Sequence, residues 1–238
     1  MSRMARVMHA TRLLDAQFTA PGTLLASFER PAGFDFEPGQ YVMLELETAE
    51  GAQAKPFTIA SAPSDPLLQI GTRLTGSAFK DALAAMAPGD AAAVSEPLGR
   101  RVVPPGAAKA LFLVGGVGVT PARSVLRDAA ATGSGLDVVT VYGNSDQGNI
   151  PFGEEFAALA EADPRLRFVH VLSAPASGWG GDTGFITADL VRERVPDFAE
   201  RHTVVTGPPA MIEAMDRVLT DLGVPPERLT VERFAGYR

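Results

Sequence analysis

Short apolar runs, broken by Pro-Gly and acidic turns, fill the first hundred residues. Residues 23–28, 41–47 and 56–60 read as strands, and the stretch from Tyr41 to Glu47 ends in clear alternation, as a strand with one wet face does. One helix interrupts them: Ala78, Phe79, Ala82, Leu83 and Met86 share a helical face, and Pro88-Gly89-Asp90 closes it. After Pro104-Pro105-Gly106 the pattern changes. Strands at 110–114, 136–142, 166–172, 203–206 and 229–231 alternate with helices at 121–131, 152–162, 187–195 and 209–222. Apolar strands alternating with helices predict a parallel sheet covered on both faces. The pattern predicts a β-barrel domain over residues 1–104 and an α/β domain with a five-stranded parallel sheet over 105–238.

Composition narrows the function. The 238 residues carry 46% hydrophobic and 21% charged side chains, as ordinary globular chains do. A net charge of −7 argues against a nucleic-acid partner. With no cysteine, the chain can form neither a disulfide nor a thiolate metal site nor a cysteine-ligated iron–sulfur cluster. His9, His170 and His202 are scattered, and no His/Asp/Glu spacing suggests a metal. His170, in an apolar strand, reads as a satisfied structural histidine, and Glu154-Glu155 as a solvated first helical turn. No apolar run reaches the length of a membrane span, and the first residues lack the apolar core of a leader, so a cytoplasmic protein without membrane insertion is expected.

Two glycine turns carry the chemistry. Gly115-Gly116-Val117-Gly118-Val119-Thr120-Pro121 joins an apolar strand to a helix, with Thr120 as N-cap and Pro121 at the first helical position. Backbone N–H groups at a helix N-terminus make an anion site, here suited to a pyrophosphate; glycines also permit close packing, and both readings stand. Thr206-Gly207-Pro208-Pro209 is a second strand-to-helix turn, and two such turns in one parallel sheet flank a nucleotide crevice. In the β-rich half, Lys55-Pro56-Phe57-Thr58 sets a cation, an aromatic ring and a hydroxyl along one strand. That set suits a flat ring system bearing a phosphate.

In order, Lys55-Pro56-Phe57-Thr58, Gly76-Ser77-Ala78-Phe79, Gly115 to Pro121, Thr206-Gly207-Pro208-Pro209 and Glu232-Arg233-Phe234-Ala235-Gly236-Tyr237 resemble the motifs of the ferredoxin–NADP reductase superfamily. The resemblance spans essentially the whole chain and is strongest to two-domain flavin reductases that supply oxygenases. Trp179 to Ile186 resembles a linker of the same reductases. The resemblance implies an antiparallel Greek-key barrel holding FAD and an α/β domain holding NADH or NADPH. It also implies hydride transfer from nicotinamide to flavin, and an electron acceptor that is a ferredoxin, an oxygenase component, a flavodoxin or a small oxidant. Lys55 with Gly76 and Ser77 would hold the flavin pyrophosphate, Phe57 would stack on the ring system, and Thr58 would bond near its reacting nitrogen. Pro56, Ile70, Thr72, Arg73, Ala78 and Phe79 are further expected cofactor-binding residues. Gly115, Gly116, Gly118, Thr120, Asn144, Ser145, Gly207 and Pro208 would cradle the dinucleotide. Thr206 and Glu232 would border the nicotinamide, with Phe234 close by. Thr58, Thr206 and Glu232 are thus the expected catalytic residues.

Three positions depart from the family pattern. Lys55 stands for arginine and loses the bidentate fork, Phe57 stands for tyrosine, and Thr206 stands for cysteine. Lys80 restores a charge near the flavin phosphate or is a solvated helix lysine. The loops after the second and third strands of the α/β domain, Tyr142 to Asn149 and Val171 to Pro175, carry no base and one acid, Asp146, which would repel a 2′-phosphate. NADH is therefore favoured. The rival from another class is a non-catalytic flavin-binding electron-transfer subunit. A pyrimidine-pathway electron-transfer subunit is disfavoured, because its cysteine-ligated cluster has no counterpart here.

Overall fold

A computed structural model describes residues 7–233, with Arg233 described by its backbone alone. Six strands build the first half: β1 (Met8–Ala20), β2 (Thr23–Glu29), β3 (Tyr41–Thr48), β4 (Gly51–Thr58), β5 (Leu67–Arg73) and β6 (Ala91–Ser95). They pair antiparallel in the order β4-β3-β6-β1-β2-β5. The Ile59–Ile70 bridge brings the two outer strands together, with the Ala60 amide donating to the Gln69 carbonyl at 2.8 Å. Inside lie Leu13, Phe28, Val42, Leu44, Ile59, Leu68, Ile70 and Val94, capped by Phe79 and Leu83 of α1 (Ala78–Ala85). Ser77 caps this helix by accepting from the Lys80 amide.

The second half runs β7 (Lys109–Gly115), α2 (Thr120–Thr132), β8 (Asp137–Asn144), α3 (Gly153–Ala162), β9 (Leu166–Leu172), β10 (Asp182–Thr183), α4 (Ala188–Arg194), β11 (His202–Gly207), α5 (Pro209–Leu222) and β12 (Leu229–Arg233). The sheet is parallel, in the order β10-β9-β8-β7-β11-β12. It has six strands, not the expected five: the Trp179 to Ile186 segment adds a two-residue edge strand, with the Trp179 indole donating to the Asp182 carbonyl at 3.0 Å. Glycines end the long helices where the chain must turn left-handed, Gly133 at φ 59° after α2 and Gly223 at φ 66° after α5. Among the described residues no helix is long and apolar enough to cross a membrane.

The expected N-cap at Thr120 is displaced. A 3-10 turn, Gly116–Val119, runs straight into α2, so Thr120 is already helical and its side chain makes no capping bond. His170 is not satisfied either: its buried Nδ1 has no hydrogen-bond partner, and the ring lies against Tyr142 and Phe168 instead, where burial lowers its pKa.

The two halves share a core. Leu25 and Ala60 of the barrel side join Phe112, Val114, Ala122, Val125 and Phe156 in one buried cluster. Polar contacts continue it. Ser124 on α2 donates to the Ser61 carbonyl at 2.7 Å, and Arg123 donates to the Ala60 carbonyl at 2.8 Å and to Gln69 at 2.9 Å. Arg127 forks onto both oxygens of Asp65 at 2.8 Å. Glu155 of α3 receives Arg123 and Arg127, also at 2.8 Å, so it is not the solvated residue its sequence neighbourhood suggests.

Candidate functional site: a cleft between barrel and parallel sheet

Strands β7 and β11 lie side by side, and the chain leaves them toward opposite edges of the sheet. A crevice opens at such a switch point, beyond the carboxyl ends of the strands. Here both glycine turns emerge and interlock. A Cβ on Gly118 would sit 2.7 Å from the Gly207 Cα and 3.0 Å from the Thr206 carbonyl oxygen. One on Gly115 would meet the Met211 sulfur at 2.5 Å, and one on Gly207 the same sulfur at 2.7 Å. Gly116 takes φ 51°, which favours glycine. The glycines thus serve close packing and, at the mouth, leave backbone bare.

The resulting cleft measures about 570 Å³, a size suited to a small-molecule or cofactor site. Gly115, Gly116 and Val117 line it, with Asn144 at the end of β8, Ser145 just after it, Ser173 after β9, Pro208 from the second turn and Met211 from α5. Thr23 and Arg73, paired across β2 and β5, bring the barrel to its other side. In a 3-10 turn each N–H bonds back three residues, and the Gly115–Gly143 pair that ends the β7–β8 ladder engages the Gly116 amide, so the donor left open at its start is the Val117 amide. The Val117 amide, bare glycine backbone and the exposed Arg73 guanidinium fit a pyrophosphate.

The expected nucleotide residues separate into two groups. Gly115, Gly116, Asn144, Ser145 and Pro208 line the cleft. Gly118, Thr120, Thr206 and Gly207 lie behind it: Thr120 is buried, and its methyl would meet a Cβ on Gly71 at 2.7 Å. Thr206 corrects the expectation of a hydroxyl facing the nicotinamide. It is fully buried and donates to the Gly118 carbonyl at 3.0 Å. Asp146 is also engaged, accepting from Asn149, Ser145 and the Gly148 amide; these bonds, the Asn149 side chain foremost, hold its pKa below the ordinary value.

On the flavin side Lys55 is exposed on β4, with Pro56 and Phe57 half-buried and Thr58 buried. The Phe57 ring stacks on Phe79 at 5.6 Å, so one face of the expected stacking ring is already taken. Phe79 and Ile70 are barrel core and Thr72 is buried, which leaves the Phe79 backbone, not its ring, toward any ligand. Gly76 at φ 70° leads into Ser77 and α1, whose opening Ala78 and Phe79 amides precede the capped Lys80 amide. These amides beside a lysine fit the phosphates of FAD. Burial lowers the pKa of Lys80, which is not a freely solvated side chain.

Glu232 lies beside Thr206 in the β11–β12 register; burial raises its pKa and Arg100 opposes the rise. Phe234 lies outside the described residues. Sequence reasoning missed Phe185, a cleft-lining ring 80% exposed, although the resemblance of the Trp179 to Ile186 segment marked its neighbourhood. It also missed Tyr142, buried in β8, whose hydroxyl donates to the Gly116 carbonyl at 3.0 Å and lies 3.3 Å from that of Pro151.

Known proteins match this arrangement. An FAD-binding domain family model matches residues 8–89, and an oxidoreductase NAD-binding domain model matches residues 112–217. Ferredoxin–NADP reductase B of Sorangium cellulosum is 32% identical, over 94% of this chain and 96% of its own length. The glycine betaine monooxygenase reductase subunit of Chromohalobacter salexigens is 32% identical over 82% of this chain, which spans 55% of that relative. The solved Amycolatopsis cytochrome P450 reductase superposes with a TM-score of 0.82 at 27% identity, over 98% of this chain and 72% of its own. A Neisseria gonorrhoeae ferredoxin NADP+ reductase, solved with FAD and NADP, shares the fold at a TM-score of 0.80 and 20% identity, over 94% of this chain and 98% of its own. With a barrel matched to FAD, a parallel sheet matched to NAD and a 32% identical reductase aligned almost end to end, the chain belongs to the ferredoxin–NADP reductase superfamily, as a flavin-dependent NAD(P)H oxidoreductase.

Proposed function

We propose that the chain works as an NADH-preferring reductase with an FAD-binding barrel up to Pro104 and a nucleotide-binding unit from Pro105 onward. The observation that carries this is the shared cleft: interlocked glycine turns on one side, Thr23 and Arg73 of the barrel on the other. Bound FAD supplies two-electron uptake from the reduced nicotinamide and release of electrons to an acceptor. The protein holds and aligns. Lys55, Gly76, Ser77 and the first amides of α1 bind the flavin phosphates, with Thr58 and Phe57 against the ring system. Gly115, Gly116, Val117 and Arg73 bind the dinucleotide pyrophosphate, and Glu232 borders the nicotinamide.

Asn144, Ser145 and Ser173 offer hydroxyls and an amide at the loops after β8 and β9, with no cation to pair a 2′-phosphate, which supports NADH. Two of the relatives are reductase components of oxygenase systems, which supports a redox-protein acceptor. This chain lacks cysteine, so its own residues cannot ligate a cysteine-held iron–sulfur centre.

Anaerobic titration of the FAD-loaded protein tests the proposal. NADH is expected to bleach the flavin absorbance at concentrations at least tenfold below those needed for NADPH. Flavin that neither nucleotide bleaches favours the non-catalytic subunit, and a protein that takes up no FAD refutes the reading. Phe185 presents an open ring at the cleft, and we assign it to stack on the adenine. Phe185→Ala is expected to raise the KM for NADH about tenfold with kcat little changed, since stacking a base contributes roughly 1–3 kcal/mol in ground and transition state alike.

A further inference from the structure

Two hydroxyls from the strands flanking β7 reach under the glycine turn, and neither belongs to the turn itself. Tyr142 comes from β8 and donates to the Gly116 carbonyl at 3.0 Å. Thr206 comes from β11 and donates to the Gly118 carbonyl at 3.0 Å. Both residues are fully buried, so neither can reach a nucleotide in the cleft. We propose that Tyr142 and Thr206 are positioning residues that pin the Gly116 and Gly118 carbonyls inward and so hold the turn's Val117 amide toward the dinucleotide.

Peptide planarity makes the link. In a trans peptide the C=O and the following N–H point in opposite directions. With the Gly116 carbonyl drawn toward the Tyr142 hydroxyl, the Val117 N–H is turned the other way, and Val117 lines the cleft. Gly116 at φ 51° has no side chain to hold its peptide; within the 3-10 turn its carbonyl meets the Val119 amide, and the Tyr142 hydroxyl is the anchor from outside the turn. Thr206 acts one step further along. Its bond fixes Gly118 against Gly207, where the backbones approach too closely for any Cβ. Burial raises the Tyr142 pKa well above its ordinary value of 10, which keeps the phenol a donor at any working pH.

The inference rests on the proposed nucleotide site and is tested on the FAD-loaded protein by calorimetric titration with NAD+. Tyr142→Phe and Thr206→Val are each expected to weaken NAD+ binding about tenfold, the worth of one well-placed buried hydrogen bond, with the affinity for FAD unchanged. Thr206→Ser keeps the donor and is expected to stay within about twofold of the parent. Thr203, on the same strand, has a buried hydroxyl without a hydrogen-bond partner, so Thr203→Val is the matched control and is expected to bind NAD+ normally. Should Tyr142→Phe not fold, the Thr206→Val and Thr206→Ser pair decides alone. Normal NAD+ affinity in Thr206→Val, or equal losses in Thr206→Val and Thr203→Val, overturns the inference and leaves the site standing. A parent protein that binds FAD but no NAD+ overturns the proposed site and the inference with it.

Discussion

Arg201→Met is expected to lower stability by about 3 kcal/mol, the bottom of the range for removing one partner of a buried ion pair. That corresponds to a fall of roughly 6–12 °C in Tm for a chain of this size. Arg201 is 1% exposed and closes the end of the parallel sheet away from the cleft. Its guanidinium forks onto Asp197 at 2.9 and 2.8 Å, reaches Asp137 at 2.7 Å, and donates to the Asp137 carbonyl at 3.1 Å. Methionine fills the volume and leaves two carboxylates that remain partly solvated, which keeps the loss at the lower end. The same network sets a pH dependence. The Arg201 bond foremost, then Lys109, holds Asp197 at about 2, below its ordinary 3.8. A carboxyl depressed on folding stabilises fully above its unfolded pKa, and the benefit fades as pH falls from about 4 through about 2. Urea titrations at pH 7 and pH 3 check both points: the parent's advantage over Arg201→Met is expected to shrink at pH 3. Turnover per folded molecule is expected to stay unchanged, because the site lies at the opposite ends of the strands.

Such a network was invisible in the sequence for a physical reason. Asp197 and Arg201 stand four residues apart, but Asp137 joins them only through the parallel pairing of β7, β8 and β11, a long-range event without a local pattern. The α/β half was legible element by element, because strands buried on both faces and helices with one apolar stripe write distinct periods. The barrel was harder. β2, β3 and the end of β4 stand out, but β1 carries a run of exposed positions from Leu14 to Gln17 and β6 is mostly alanine, so neither alternates strongly enough to stand out. Edge strand β10 is too short to write a period at all.

The site was legible where glycine was the message. Gly115, Gly118 and Gly207 are needed because two backbones and a methionine sulfur crowd them, a demand that shows in the residue type itself. Side-chain direction was not legible. Thr206 follows an apolar strand and precedes a glycine turn, which suits a ligand contact as well as a buried clasp; only its bond to Gly118 separates the two. Phe57 likewise reads as a stacking platform, and its sequence gives no sign that Phe79 already occupies one of its faces.

Arg123→Leu is expected to slow NADH-dependent turnover with an artificial one-electron acceptor by about 10- to 100-fold, the scale on which a misplacement of about 1 Å is felt. The FAD affinity is expected to hold. Helix α2 begins at the dinucleotide turn, and one turn later Arg123 and Ser124 bond the carbonyls of Ala60 and Ser61, at the end of the segment carrying Lys55, Phe57 and Thr58. One short rigid stretch therefore sets the register of both proposed cofactor sites. Arg123 is 3% exposed; it also bonds Gln69 and Glu155 and lies 4.8 Å from the centre of the Phe152 ring. Phe152 is held at φ 61°, a conformation that costs a non-glycine residue of order 1–3 kcal/mol and persists only where its surroundings enforce it. Leucine would orphan the Ala60 carbonyl and the Gln69 oxygen and leave Phe152 uncovered. Arg127→Gln is the graded companion: it loses the fork onto Asp65, whose pKa burial raises and Arg127 with the Ala62 amide brings below the ordinary value. It keeps Arg123 in place, so a loss under tenfold is expected. Stopped-flow reduction by NADH, read alongside FAD affinity, separates a loosened junction from a damaged flavin site. Unchanged reduction in Arg123→Leu would mean that the shared apolar core alone aligns the two halves.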